Sequence, residues 1–255
     1  MTYITTETHG HILTITLDRQ ESRNAFNRAM ADEMEQIIDD YEADTELRCA
    51  IICAKGPTFS AGQDLKAALK GEFAATPKRG GFGIMSIPPE KPLIAAVDGQ
   101  ALAGGMELTL CCDIIVASEE SIFGLAEAKR GLVAIGGGCF RLPHRIPHNI
   151  AMEMVITAEP KSAQDMQHFG YVNSVVKSDQ VMGEAMRYAE LIARNGPIAV
   201  KASKALAYRS ATEQWTDEQA WKEQGPIVQP MMSSEDRIEG MKAFAEKRDP
   251  VWTGK

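Results

Sequence analysis

The chain is poor in several features that mark whole classes of protein. It has 255 residues, and no stretch approaches the ~18 uncharged apolar residues of a membrane-spanning helix. The N-terminus, MTYITTETHGHILTITLDR, alternates like a strand pair and lacks the basic start and apolar run of a secretory leader. Cysteines are few and odd in number: Cys49, Cys53, Cys111, Cys112 and Cys139. They form no disulfide framework, so reduced thiols and a cytoplasmic location are expected. No Cys/His pattern has zinc spacing, and His-Glu-x-x-His and Gly-x-Ser-x-Gly are both missing. No metal is expected, and the metalloprotease and serine-hydrolase readings drop out. Positive charge is in deficit, with 27 Lys+Arg against 35 Asp+Glu and a net charge of −8. That balance argues against a nucleic-acid or anionic-membrane surface, but leaves room for one small anionic ligand on a local patch.

What is present is a globular pattern of alternating elements, with 44% apolar residues. Residues 3–8 and 11–17 have period 2 and meet at His9-Gly10, which predicts a hairpin. Apolar residues at helical spacing over 27–43, with Asn27 as N-cap, predict a helix. Strands are predicted at 48–54, 93–97, 113–117, 121–124 and 172–176, with helices between them. Residues 58–65 read as a loop, and 66–90 as a mobile, Gly- and Pro-rich helix-and-loop segment. From 179 onward the pattern is helical, broken at Gly196-Pro197, Gly225-Pro226 and Pro230. The alternation predicts an α/β fold with parallel strands in a core of residues 1–195, followed by a helical region of 196–255.

Two segments share one layout of strand, tight glycine turn and helix start. One ends in FSAGQDL (59–65), the other in ALAGGMEL (101–108). Small residues there clear the space around backbone N–H groups at a helix start, which favours anions. Two such donors on one carbonyl would form an oxyanion hole, although glycine turns of this kind also serve packing alone. Glu107 follows Gly-Gly in an apolar stretch, and Glu127 sits in SIFGLAEAKRG. Carboxyls in apolar surroundings hold protons near neutrality, and two of them on one pocket can divide acid and base roles. A carboxylate paired with a helix dipole, and an ordinary first-turn Glu beside Lys129 and Arg130, remain open alternatives.

These segments, together with RQESRNAFN (19–27), FGLAEAKRG (123–131) and GMKAFAEKR (240–248), resemble the signature stretches of the crotonase (enoyl-CoA hydratase/isomerase) superfamily, in order and over nearly the whole chain. The resemblance implies a spiral core of ββα turns with a C-terminal helical oligomerisation region, giving a homotrimer or a hexamer built as a dimer of trimers. It implies an acyl thioester of coenzyme A as substrate and no other cofactor. The backbone N–H groups of Gln63 and Gly104 would hold the thioester oxygen. Glu107 would activate water and Glu127 would protonate C2, making the chain an enoyl-CoA hydratase. A Δ3,Δ2-enoyl-CoA isomerase, a carnitinyl-CoA dehydratase-like enzyme and a non-catalytic CoA-binding homologue are the rival expectations. Ser22, Arg23, Ala25, Ala61, Gln63, Asp64, Leu65 and Gly104 match CoA-binding positions, with Lys66 and Lys70 as candidates for phosphate contact. Phe244 and Lys247 match positions that reach CoA from a neighbouring subunit. The chain departs from the family pattern at AIGGG (134–138), where Ile135 stands in place of a glycine common in hydratases.

Overall fold

The computed structural model describes residues 2–255. The hairpin is β1 (Ile4–His9) and β2 (Ile12–Leu17), and its register pairs Ile4 with Leu17 and His9 with Ile12. Helix α1 (Arg28–Ala43) starts where predicted, with the Asn27 side chain accepting from the Met30 N–H; it buries Met30, Met34, Ile38 and Tyr41. The core then winds as a coil, alternating between two sheets. Strand β3 (Cys49–Ala54) lies in the large sheet and β4 (Thr58–Ser60) in the small one, before the short helix α2 (Leu65–Ala68). A small hairpin, β5 (Ala75–Thr76) and β6 (Gly80–Gly81), precedes the next turn. That turn repeats the plan with β7 (Leu93–Val97), β8 (Gln100–Leu102) and α3 (Gly104–Thr109). A third turn supplies β9 (Ile114–Ser118) and β10 (Ile122–Gly124).

Helices α4 (Gly138–Arg141) and α5 (His148–Thr157) follow, then β11 (Lys161–Ser162), α6 (Ala163–His168), β12 (Ser174–Val176) and α7 (Val181–Ala193). The large sheet has the order β1-β2-β3-β7-β9-β12, parallel from β2 onward. The small sheet runs β11-β10-β8-β4, with its last three strands parallel. Equivalent residues of successive turns are therefore in register: Gln100 pairs with Thr58 on one side and Ile122 on the other. Strands β3 and β7 are covered on both faces, which is why they read as unbroken apolar runs.

Three expectations need correction. Residues 58–60 are a strand, not a loop: they lie against a glycine turn, and their pairing depends on the next turn of the coil. The 66–90 segment is not loosely packed throughout: Phe82, Ile84 and Met85 are buried in the main core, and Phe82 stacks on Phe26 with ring centroids 4.1 Å apart, while Leu69 and Phe73 stay exposed. The C-terminal helices are α8 (Pro197–Thr212), α9 (Asp217–Met232) and α10 (Glu235–Glu246), and α9 runs through Pro226 and Pro230 instead of breaking there. Each proline removes one N–H donor, and packing of α9 along α8 and the Thr216–Gln219 capping box offset that loss.

The tail docks at the N-terminal ends of the parallel strands. Arg48, just before β3, donates to the Ala193 and Trp252 carbonyls, and Lys204 on α8 pairs with Asp113 at the entrance of β9. The glycine turns leave from the opposite, C-terminal ends.

Candidate active site

Three loops meet at the C-terminal ends of the strands. The loop after β2 is shaped by Arg23 and Asn24, both at positive φ. The buried Asn24 amide donates to the Lys55 and Thr58 carbonyls and fixes this loop to the β3–β4 turn. Main-chain bonds then zip it to the next glycine turn: Ala61 N–H to Arg23 O at 3.0 Å, Phe26 N–H to Gly62 O and Asp64 N–H to Phe26 O at 2.8 Å. This brings the loop holding Ser22, Arg23 and Ala25 against the turn holding Ala61, Gln63, Asp64 and Leu65.

The third loop stacks on the second through glycines. Gly62 has φ +92°, and a Cβ there would lie 2.8 Å from the Gly104 nitrogen. A Cβ on Gly104 would lie 2.5 Å from the Phe82 ring, and one on Gly105 would collide with the Ser60 carbonyl. Between them Ala103 adopts φ 52°, ψ −127°, a strained conformation for a residue with a Cβ. The result is two helix-start amides side by side. Neither the Gln63 N–H nor the Gly104 N–H has an acceptor among the described residues.

Glu107 sits one turn into α3 and is 5% exposed. Its Oε1 accepts from the Gly138 N–H at 2.9 Å, and the Gly136 amide also donates to it. A Cβ on Gly136 would lie 2.7 Å from Oε2, so only glycine lets the chain close over this carboxylate. Burial pushes the Glu107 carboxyl up, while these two amides and the Arg141 guanidinium pull it back. Glu127 opens the 3-10 turn Glu127–Arg130 after β10. Its Oε2 is buried without a hydrogen-bond partner among the described residues. Burial pushes the Glu127 carboxyl up to about 7, and the nearby Glu107 charge adds to the effect. The two carboxyls therefore differ in their surroundings: Glu107 accepts from a backbone amide, while Glu127 Oε2 has no partner among the described residues.

Other predicted residues have different surroundings. Both Asp64 oxygens are engaged, Oδ1 by the Lys66 and Ala67 N–H groups and Oδ2 by Arg19 at 2.8 Å, so its carboxylate holds the loop and caps α2. Lys66 and Lys70 are exposed and pair with no carboxylate among the described residues. Phe244, 87% exposed, and Lys247 lie at the end of α10, whose neighbour is α9, and the single chain does not bring them to the loops. Ile135 points outward, 87% exposed, and Gly136 and Gly138 supply the amides on Glu107. Those two glycines and Arg141 escaped the reading of the sequence. Only the glycine run 136–138 carried a signal.

No group of metal-ligating side chains occurs among the described residues. No helix of the described residues is long and apolar enough to cross a membrane.

Known proteins match this architecture along its whole length. The enoyl-CoA hydratase/isomerase family profile covers residues 7–255. A carnitinyl-CoA dehydratase of Citrobacter koseri is 42% identical over 254 residues, 97% of each chain. The crystal structure of an enoyl-CoA hydratase from Mycobacterium tuberculosis superposes with a TM-score of 0.95 at 42% identity, over 99% of both chains. That of a probable enoyl-CoA hydratase/isomerase from Mycobacterium abscessus gives 0.94 at 45%, again over 99% of both. The chain belongs to the enoyl-CoA hydratase/isomerase family, the crotonase superfamily.

Proposed function

We propose that this protein is an acyl-CoA hydratase/dehydratase that adds water reversibly across the C2=C3 bond of a 2-enoyl-CoA. The observation that carries the reading is the pair of unlike carboxyls beside two unpartnered amides. Attack of water at C3 moves charge onto the thioester oxygen, where the Gln63 and Gly104 N–H groups are preorganised to receive it. Glu107, held in place by the Gly138 amide, takes a proton from the attacking water. Glu127, whose carboxyl burial pushes up to about 7, delivers its proton to C2 of the enolate. In dehydration the roles reverse. Ser22, Arg23, Ala25, Ala61 and Leu65 would lie along the CoA moiety. In a homotrimer or hexamer, Phe244 and Lys247 of a neighbouring copy would complete that surface, and the cytoplasm is the location proposed for such an enzyme.

The test follows the loss of conjugated-thioester absorbance with crotonyl-CoA. Glu107→Gln and Glu127→Gln are each expected to lower kcat by roughly 10²–10⁴. For hydration, kcat/KM should fall as pH rises through about 7, where Glu127 gives up its proton. CoA binding without turnover in the parent, unchanged in both variants, would favour a non-catalytic CoA-binding homologue. Conversion of a 3-enoyl-CoA without hydration would favour the isomerase. The 42% identity to a carnitinyl-CoA dehydratase supports a second reading, dehydration of carnitinyl-CoA, which the same assay separates by the substrate preferred.

A further inference from the structure

Arg141 stands behind the Glu107 wall, one turn beyond Gly138 on α4. Its guanidinium reaches three separate parts of the fold. One nitrogen donates to the Met85 carbonyl at 2.7 Å. The other contacts Cys111 Sγ at 3.4 Å, and the Cys111 S–H in turn donates to the Glu107 carbonyl at 3.4 Å. The same side chain lies against Gly137, which has φ +120°: a Cβ there would lie 3.0 Å from the guanidinium. Met85 Sδ, finally, is pressed against Gly136, the glycine that closes on Glu107. The titratable groups facing Glu107 are Arg141, Glu127, Cys111 and Cys139, of which Arg141 alone is a cation.

We propose that Arg141 is the positioning residue of this site. Its guanidinium ties Met85, the end of α3 at Cys111 and the glycine run 136–138 into one wall around Glu107. The inference rests on the reading of Glu107 as the general base. Arg141 touches no reacting atom; it acts through the carboxylate and the two amides beside it. A cation at this place offsets burial of the charge, and the bidentate geometry of arginine reaches two walls at once, which a lysine cannot do.

The experiment compares Arg141→Met and Arg141→Lys with the parent protein, over pH 4–9, with Glu107→Gln alongside. In Arg141→Met the acidic limb of kcat/KM, where the base must lose its proton, is expected to move up by about one pH unit, with kcat down roughly 10–100-fold. In Arg141→Lys the charge stays, so the limb is expected to stay in place, while kcat falls roughly 3–10-fold because one wall contact is lost. Arg141→Lys decides the matter if Arg141→Met does not fold: parental kcat, or a limb that moves upward despite the retained charge, overturns the proposal. So does an Arg141→Met limb that stays where it was. If Glu107→Gln keeps parental activity, the reading of the base fails and this inference with it. If Glu107→Gln is inactive and the limb ignores Arg141, this inference alone fails.

Discussion

The turn around Gly62 and the turn around Gly104 follow one plan, yet each frees its amide by a different route. At the first, glycine takes the left-handed conformation, and Asp64 caps the short, half-exposed helix that follows. Its carboxylate satisfies the Lys66 and Ala67 amides, and the Gln63 amide, lying just before the cap, is left free. At the second, an alanine bears the positive φ, no side chain caps the helix, and every residue of α3 is buried. There, tertiary packing replaces the cap: Gly105 lies on the Ser60 carbonyl and Gly104 under the Phe82 ring. A surface helix needs a polar cap because water competes for its first amides. A buried one can leave its first amide open, and an amide left open out of water is a strong donor to developing negative charge.

Substitutions can break this contrast at either turn. Gly105→Ala is expected to act most strongly. Its Cβ would enter the Ser60 carbonyl, backbone against backbone, and force the two turns apart. Activity should fall below detection and the thermal transition should drop; a variant with the parental Tm would show that the turns are not so closely stacked. Gly62→Ala comes next. The substitution strains a φ of +92° and places a methyl 2.8 Å from the Gly104 nitrogen. A kcat loss of roughly 10²–10³-fold, the scale of one oxyanion donor, is expected with the fold kept, as near-UV circular dichroism would show. Asp64→Ala should act least on chemistry. Losing the cap costs about 1–2 kcal/mol in urea unfolding, while kcat stays within a few-fold because the capped amides are not the free one. Burial raises the Asp64 carboxyl, but the Arg19 bond and the two amides bring it below its ordinary value. Its contribution is therefore present above about pH 4 and lost as pH falls through the lower folded value, so the two proteins should converge in stability at low pH.

Much of the scaffold was legible in the residues. The hairpin, α1 and the buried strands β3 and β7 carry periodic or unbroken apolar patterns, because each packs along its length. Strands β4 and β8 were not legible, since they lie against the glycine turns and their pairing depends on the turns above and below. The 66–90 segment read as mobile because its buried residues, Phe82, Ile84 and Met85, are spaced by an irregular chain rather than by a helix or a strand. In the site, Glu107 and Glu127 stood out as acids in apolar surroundings. The amides of Gln63 and Gly104 came into focus through family resemblance, because a backbone donor leaves no side-chain signature. Gly136, Gly138 and Arg141 meet Glu107 only after about thirty residues of chain have looped back, a distance no local pattern spans.

The stacking of Gly62 against Gly104 also bears on how the protein becomes active. The two free amides come from successive turns of the coil, about forty residues apart in sequence, and the wall around Glu107 comes from the turn beyond. The first turn by itself holds only the Gln63 amide, the second adds the Gly104 amide and Glu107, and the third adds the Gly138 amide on that carboxylate. On the proposed assignment the site is complete only when all three turns are in place, so activity is expected to depend on long-range contacts. Recovery of activity on refolding should lag behind recovery of strand and helix signal, and the length of that lag measures the time needed to seat one turn of the coil on the next.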